Sequence, residues 1–303
     1  MTDLRAVAVV GATASGKSAL AHAVAAESGG VVEILCVDAM TVYRGMDVAT
    51  AKPTPEERAE VRYHLLDVVD ASEEYSVEAF QRQARDVARE VRSRGHRMLY
   101  VGGTGLYGRA VIDDLDIPGR YPLVRHDLEA RATSDLTGLY EELSRLDPVA
   151  ASRIEPTNAR RIVRALEVTL GAGRPFSSYG AGLENYEASP VSQVGLRVAR
   201  EELDARVEAR FRQWLEGGLL EEVRTLAQRP QGLSKTARQA VGYRQLLAHV
   251  ERGADLESCV EEAITQSRRL ARRQCSWFER DPRVEWFEDA SGAKARIRSL
   301  LGL

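Results

Sequence analysis

The spacing of apolar and polar positions changes character twice along the chain. Residues 6–10 form an unbroken apolar run closed by Gly11, which predicts a buried strand. Residues 18–27 follow with helical spacing and stop at Gly29-Gly30; residues 31–37 make a second buried-type strand. Helical periodicity returns over 76–95, and 98–101 is a third short strand ended by Gly102-Gly103. Strands alternating with helices predict a parallel sheet covered by helices on its faces. From Pro118-Gly119 to about Pro190 the strand pattern is absent. Residues 124–132, 139–146 and 159–170 read as helices, and 171–190 as a turn-rich stretch. Residues 192–198 alternate as a strand again. Beyond Glu201 the pattern is helical, with one helix over 203–215 and another running on from Ile264, until a short last strand at 283–287. The expected fold is therefore α/β: a core of parallel sheet flanked by helices from 1–118 and 189–303, and an all-helical insertion domain at 119–188. Pro/Gly-rich joints at both ends predict that the insertion moves as a unit.

Composition narrows the class. The 303 residues are 44% hydrophobic and 29% charged, the balance of a soluble globular protein. No apolar run approaches the ~18 residues of a membrane span, so no membrane association is expected. The first residues carry an acid and a base and their apolar run ends in glycines, unlike a secretory signal. Cys36, Cys259 and Cys275 are widely spaced with no C-x-x-C pair, which excludes a disulfide scaffold and a cysteine zinc site and fits a reducing cytoplasm. His22, His64, His96, His126 and His249 show no metal-ligand spacing, and His64 is expected to be structural. The net charge is −3, so any nucleic acid must be met by local basic patches.

The chemistry begins at Gly11-Ala12-Thr13-Ala14-Ser15-Gly16-Lys17-Ser18, a match to G-x-x-x-x-G-K-[ST] between an apolar strand and an Ala-rich helix. In such a P-loop the glycines let backbone N–H groups converge on phosphate oxygens. Lys17 adds a point charge, the helix N-terminus adds its dipole, and Ser18 is placed to ligate magnesium (Mg2+). The motif implies a bound polyphosphate without specifying a nucleoside triphosphate. P-loop nucleotidases usually add an apolar strand ending in Asp. Only residues 34–38, Ile-Leu-Cys-Val-Asp, qualify, whereas the third strand ends in Gly102-Gly103-Thr104 without an acid. Asp38 is thus expected near the phosphates, where ligands bind in open α/β sheets, as a magnesium-associated carboxylate or a general base.

Two helices carry arginine faces. With Arg160 at zero on a helical wheel, Arg164 and Arg161 fall within about 100° of it and the apolar Ile162, Val163, Leu166 and Leu170 fall opposite. On the helix from Ile264, Arg268, Arg269, Arg272, Arg273 and Arg280 share one side, opposite Leu270, Trp277 and Phe278. Arginine stripes without interleaved acids are footprints for a phosphate backbone. Tyr43, Tyr107 and Tyr243 are candidate stacking platforms for bases.

These segments together resemble the tRNA dimethylallyltransferase (tRNA isopentenyltransferase) family. GATASGKS is similar to the family's GPTASGK[ST] opening, and CVDAMTVYRGMDVATAKPTPEE to its acid-aromatic segment ending in G-T-A-K-P. YHLLDVVD, VGGTGLY, RRIVRALEV, AVGYRQ and RRLARRQCSWFERD follow in the family's order, so the resemblance runs from about Val7 to Trp286. Ala12 stands for the usual Pro, Cys36 for a common Ser, Met40-Thr41 for more polar residues, and Gly108 for a bulkier one. The resemblance implies transfer of a dimethylallyl group from dimethylallyl diphosphate to the exocyclic amine of the adenosine 3′-adjacent to the anticodon of tRNA. It implies that Gly11 to Ser18 hold the diphosphate with Arg210, that Asp38 is the general base, and that Thr104 hydrogen-bonds the extruded base. It implies tRNA contacts at Asp38, Ala39, Met40, Thr41, Thr104 and Arg125, along Arg160, Arg161, Ile162, Val163 and Arg164, and along Gln239, Ala240, Val241, Gly242, Tyr243 and Arg244. Arg268, Arg269, Arg272 and Arg273 complete the expected tRNA surface. The expected partners are dimethylallyl diphosphate and the tRNA anticodon stem-loop, acting on a cytoplasmic monomer with Mg2+.

Other readings compete. A small-molecule or nucleotide kinase also has a P-loop core and a helical lid, but the missing second strand-end acid speaks against it. An RNA-binding P-loop module without chemistry would leave Asp38 beside the phosphates unexplained. A prenyltransferase for free adenine nucleotides would leave the arginine faces without purpose.

Overall fold

The computed structural model describes residues 6–180, 183 and 185–303; the first five residues of the expected core and part of the turn-rich stretch, residues 181, 182 and 184, lie outside them. The chain opens with β1 (Ala6–Val10), α1 (Lys17–Ala26) and β2 (Val32–Cys36). After β3 (Tyr43–Arg44), α2 (Pro55–Glu60), β4 (Tyr63–His64) and β5 (Val69–Asp70) come α3 (Val77–Ser93), β6 (Arg97–Gly102) and α4 (Gly105–Ile112). Then α5 (Pro122–Ala132), α6 (Leu136–Leu146), α7 (Pro148–Ala151) and α8 (Ala159–Ala172) follow one another without a strand. The remainder is β7 (Ser192–Leu196), α9 (Arg200–Glu216), α10 (Leu219–Ala227), α11 (Tyr243–Arg252), α12 (Leu256–Phe278), β8 (Val284–Phe287) and α13 (Ala290–Leu301).

The chain divides into two compact units, one reaching to Asp113 and resuming at Ala188, the other Asp114–Glu187. In the first, six of the described strands form a parallel sheet in the order β4-β2-β6-β1-β7-β8. Its centre is apolar on both faces, which is why β1 reads as a continuous hydrophobic run. Ala6, Ala8 and Val10 point into a core with Phe80, Ala84 and Val91 of α3, and the alternate Val7 and Val9 into one with Leu20 and Val24 of α1 and Ile297 of α13. α3 starts where Ser76 Oγ accepts the Ala79 N–H at 3.1 Å, a cap worth about 1 kcal/mol. The second unit has its own core, in which Leu128, Leu139, Leu143, Ile162 and Leu166 meet.

The segment from β3 to β5 lies between the elements read from the sequence pattern. Its two-residue strands, β3 paired with β5 and β4 on the sheet edge, are too short to leave a periodic trace. Lys52 organises it instead. Its Nζ, on a side chain only 1% exposed, donates to the Tyr43 carbonyl, Asp47 Oδ1 and Asp67 Oδ1, each at 2.6 Å.

A second buried charge sits near the amino end of β2. Glu33 of β2, 1% exposed, accepts from Arg94 at 2.9 and 2.8 Å and meets His64 at 2.5 Å and His96 at 2.7 Å. His64 is structural, as expected. Burial works against the Glu33 carboxylate, and the hydrogen bonds from Arg94, His64 and His96 overcome it, holding its pKa at about 2. A carboxyl so depressed contributes stability above its ordinary pKa, and that stability is lost as pH falls toward 2. Glu33→Gln should therefore cost about 2 kcal/mol at neutral pH, since hydrogen bonds to charged groups contribute roughly 1.5–3 kcal/mol. Urea denaturation across pH 2–7 should show the gap between wild type and variant closing as the pH drops below 4; a constant gap would mean that the carboxylate charge contributes nothing.

Candidate active site

Strand order builds the site. β6 lies between β2 and β1, so the segments leaving these three strands emerge side by side at the carboxyl edge of the sheet. The segment after β1 is the phosphate loop. The Val37 N–H donates to the Val101 carbonyl at 2.7 Å and extends the β2–β6 ladder by one residue, so Asp38 stands just beyond it. The turn after β6 is packed too tightly for side chains. A β-carbon at Gly102 would lie 1.8 Å from the Val37 carbonyl oxygen, one at Gly103 2.7 Å from Gln274 Nε2, and one at Gly105 2.0 Å from Trp277 Nε1. Only the intervening Thr104 carries a side chain, and it points at Asp38. Thr104 Oγ1 donates to Asp38 Oδ2 at 3.1 Å and accepts the Ala39 N–H at 3.2 Å, while Asp38 Oδ1 accepts the Met40 N–H at 2.8 Å. The carboxylate is held at both oxygens, and each retains a lone pair for a substrate donor.

Beside this pair lies a cationic pocket. In the phosphate loop Gly16 has φ +94° and Ala14 φ +65°, a left-handed turn that costs an alanine roughly 1–2 kcal/mol. Lys17 Nζ donates to the Ala12 carbonyl at 3.1 Å. Arg210 of α9 reaches across to donate to Thr13 Oγ1, with its guanidinium 4.7 Å from the centre of the Trp214 ring. Burial lowers the Lys17 pKa to about 8, helped by the charge of Arg210 and opposed by that of Asp38. Burial also brings Arg210 down to about 10. Arg210 Nε and Ser15 Oγ are buried without a hydrogen-bond partner among the described residues. Two desolvated cations that repel one another, next to orphaned donors in a phosphate loop, are the environment a polyanion stabilises.

The residues expected to meet tRNA fall into two groups. Arg160, Arg161, Gln239, Arg244, Arg269 and Arg273 are exposed; Arg244 is also 3.6 Å from Glu262. Asp38, Ala39 and Met40 border the site. Several others are corrected by their surroundings. Ile162 and Val163 lie in the core of the second unit. Tyr43 and Tyr243 are buried rather than stacking platforms: Tyr243 is 1% exposed and its hydroxyl donates to Glu222 at 2.5 Å. Ala240, Gly242 and Thr41 are buried as well, and Val241 is half-buried. Arg125 and Arg164 both pair with the buried Glu167, at 3.1 and 3.0 Å, and Arg164 also donates to the Pro118 and Gly119 carbonyls. The stripe on α12 has acids after all: Arg268 meets Glu208 at 2.5 Å and Arg272 meets Asp204 at 2.6 Å, both acids on α9. A helical wheel sees only its own helix and cannot register acids supplied by the next one.

Gln274 and Trp214 were not singled out from the sequence, and Trp277 was read only as part of the apolar side of its helix. Gln274 sits in the stretch RRLARRQCSWFERD, where the arginines drew attention; its three-residue offset from Trp277, which puts both on one face of α12, was the available signal.

Comparison with known proteins places this geometry. The family model for IPP transferase matches residues 41–281. The tRNA dimethylallyltransferase of Kineococcus radiotolerans is 47% identical over 293 residues, covering 95% of this chain and 92% of its own. That of Bifidobacterium animalis subsp. lactis is 45% identical over 287 residues, 93% of this chain and 82% of its own. Among solved structures, the tRNA isopentenylpyrophosphate transferase of Bacillus halodurans superposes with a TM-score of 0.70 at 34% identity, covering 99% of this chain and 97% of its own. A eukaryotic dimethylallyltransferase acting on tRNA does so with a TM-score of 0.78 at 25% identity, over 97% of this chain and 77% of its own. With its strand order, its Asp38–Thr104 pair and its phosphate loop in place, the chain belongs to the tRNA dimethylallyltransferase, or IPP transferase, family.

Proposed function

We propose that the protein transfers a dimethylallyl group from dimethylallyl diphosphate to the exocyclic amine of the adenosine 3′-adjacent to the anticodon of tRNA, releasing diphosphate. The observation that carries this reading is the adjacency of a doubly held carboxylate, Asp38, to the desolvated Lys17–Arg210 pair. An amine nucleophile needs a base on one side and its electrophile needs a stabilised leaving group on the other. The amine nitrogen forms a bond to C1 of the dimethylallyl group as the C1–oxygen bond breaks, and the electron pair departs with diphosphate. Lys17, Arg210 and the loop N–H groups stabilise the negative charge that develops there. The amine proton passes to Asp38. Thr104 directs its own proton to Asp38, so it accepts from the amine and orients the base.

Magnesium fits the donor set. Among the described residues no cluster of three or more His, Cys, Asp or Glu suits a metal ion. Ser18, exposed at the start of α1, would hold Mg2+ together with diphosphate oxygens and water, the sparse protein coordination that magnesium favours. When bound it supplies further charge stabilisation to the leaving group. Among the described residues no helix is long and apolar enough to cross a membrane, and we assign the protein to the cytoplasm as a monomer. The exposed Arg269 and Arg273 of α12, with Arg160 and Arg161 of α8, are the proposed contacts to the tRNA backbone.

Three outcomes follow from these roles. Asp38→Asn keeps the shape and loses the base, so it should bind both substrates nearly as wild type and turn over at least roughly a hundredfold slower in single turnover, with Thr104→Ala less impaired. Near-normal turnover with both substrates saturating would move the general base elsewhere. Lys17 keeps its proton below about pH 8 and sheds it above. Affinity for a non-cleavable thiolo analogue of the donor should therefore weaken as pH rises from 7.5 to 9.5, whereas Lys17→Ala should bind roughly ten- to a hundredfold more weakly with no such step, a charge-assisted contact being worth about 1.5–3 kcal/mol. Tight ATP binding without donor binding would instead favour a kinase. Finally, the Arg269→Ala/Arg273→Ala double variant should flatten the log K versus log[salt] slope for tRNA by about 1.4–1.8, at about 0.7–0.9 per lost phosphate contact. Donor binding should be unaffected, and an unchanged slope would make this face mere solvation.

A further inference from the structure

The two halves of the proposed reaction centre are joined by one side chain. Gln274 of α12 accepts the Thr13 N–H of the phosphate loop through Oε1 at 2.8 Å and donates Nε2–H to the Gly103 carbonyl at 2.9 Å. Thr13 lies on the loop that holds Lys17, and its hydroxyl also receives Arg210. Gly103 immediately precedes Thr104, the partner of Asp38. The amide thus uses its acceptor toward the diphosphate side and its donor toward the base side. No other orientation of the amide satisfies both backbone groups, because an N–H group needs an acceptor and a carbonyl needs a donor. One turn along the same helix, Trp277 packs its indole nitrogen so close to Gly105 that a β-carbon there would lie 2.0 Å away. The turn after β6 is therefore gripped from α12 at two points.

We propose that Gln274 is a positioning residue for the transfer reaction, setting the separation between the diphosphate-holding loop and the Asp38–Thr104 pair. The proposal rests on the assignment of those two groups to the leaving group and the amine. Displacement of the nucleophile line from the leaving-group line by one ångström can cost on the order of a hundredfold in rate, while each site taken alone still binds its own substrate. Gln274 acts through the backbone, at the Thr13 N–H and the Gly103 carbonyl.

The test uses two variants of the full chain that keep the shape of the side chain. Gln274→Met removes both hydrogen bonds. Gln274→Glu as a carboxylate keeps the acceptor for Thr13 and sets a negative oxygen against the Gly103 carbonyl; as a carboxylic acid it restores the donor. Single-turnover transfer to unmodified tRNA should be roughly 10- to 100-fold slower in both variants at pH 8. Dissociation constants for the thiolo donor analogue and for tRNA should stay within about threefold of wild type, as expected for changes in positioning alone. Measured relative to wild type at each pH, Gln274→Glu should recover rate as the pH falls from 8 to 5.5, while Gln274→Met should show a constant deficit. A structural prop would not produce that pH-dependent rescue. Wild-type rates in both variants would overturn the proposal, as would a loss confined to donor affinity or a deficit in Gln274→Glu that ignores pH. Failure of the wild-type protein to prenylate tRNA would strike the proposed function itself, and that control separates the two conclusions.

Discussion

A β-carbon on Gly102 would stand 1.8 Å from the carbonyl oxygen of Val37, and most of the site depends on that closeness. Parallel strands β2 and β6 run together to their carboxyl ends, and the backbone leaving β6 must pass directly over the backbone leaving β2. Only glycine permits the crossing. Its consequence is that Thr104, two residues on, arrives with its hydroxyl against the carboxylate of Asp38. A wider turn would leave the two side chains on separate loops. The placement of Asp38 is fixed by this crossing and by the ladder bond at Val37.

Charge is distributed by a consistent logic. Where the protein needs order, its charges are paired and hidden: Lys52 between Asp47 and Asp67, Glu33 among Arg94, His64 and His96, and Arg125 and Arg164 on Glu167. At the phosphate loop the pattern reverses. Lys17 and Arg210 are both desolvated, and the charge of Arg210 further pushes Lys17 toward the neutral form, with Asp38 as a partial counterweight. Folding alone does not stabilise that arrangement; a bound polyanion would, by favouring the charged forms of both side chains. The same distinction sorts the arginines of α12. Arg268 and Arg272 tie α12 to α9, the helix that delivers Arg210, while Arg269 and Arg273 face outward. One stripe thus both ties α12 to the helix that carries Arg210 and leaves two cations, Arg269 and Arg273, exposed on its surface.

Local signals in the sequence determined a good deal. An apolar run ended by glycine specifies a buried strand, so β1, β2 and β6 were legible, as were α1, α3 and α8 from their 3.6-residue spacing. The phosphate loop was legible because its chemistry is contiguous: eight neighbouring residues contain the glycines, the lysine and the hydroxyl. Asp38 was legible as the acid at a strand end. The two-residue strands β3, β4 and β5 were not, since Lys52 and the sheet edge hold them in place rather than any repeating pattern. Tyr243 looked like an aromatic beside basic residues and proved to be core, because its burial is set by α10 and by Glu222, some twenty positions away.

Whatever depends on strand order was decided only by the tertiary structure. β6 follows β2 by some sixty residues yet inserts between it and β1, and that insertion sets Thr104 against Asp38 and Gly103 beside Gly11 of the phosphate loop. Arg210 and Gln274 reach the loop from 197 and 261 positions away. Sequence patterns report which face of an element is apolar, because burial repeats with the period of the backbone. They do not report which elements become neighbours, since that is settled by the packing of whole faces against one another, and the contacts that align this site are made between such neighbours.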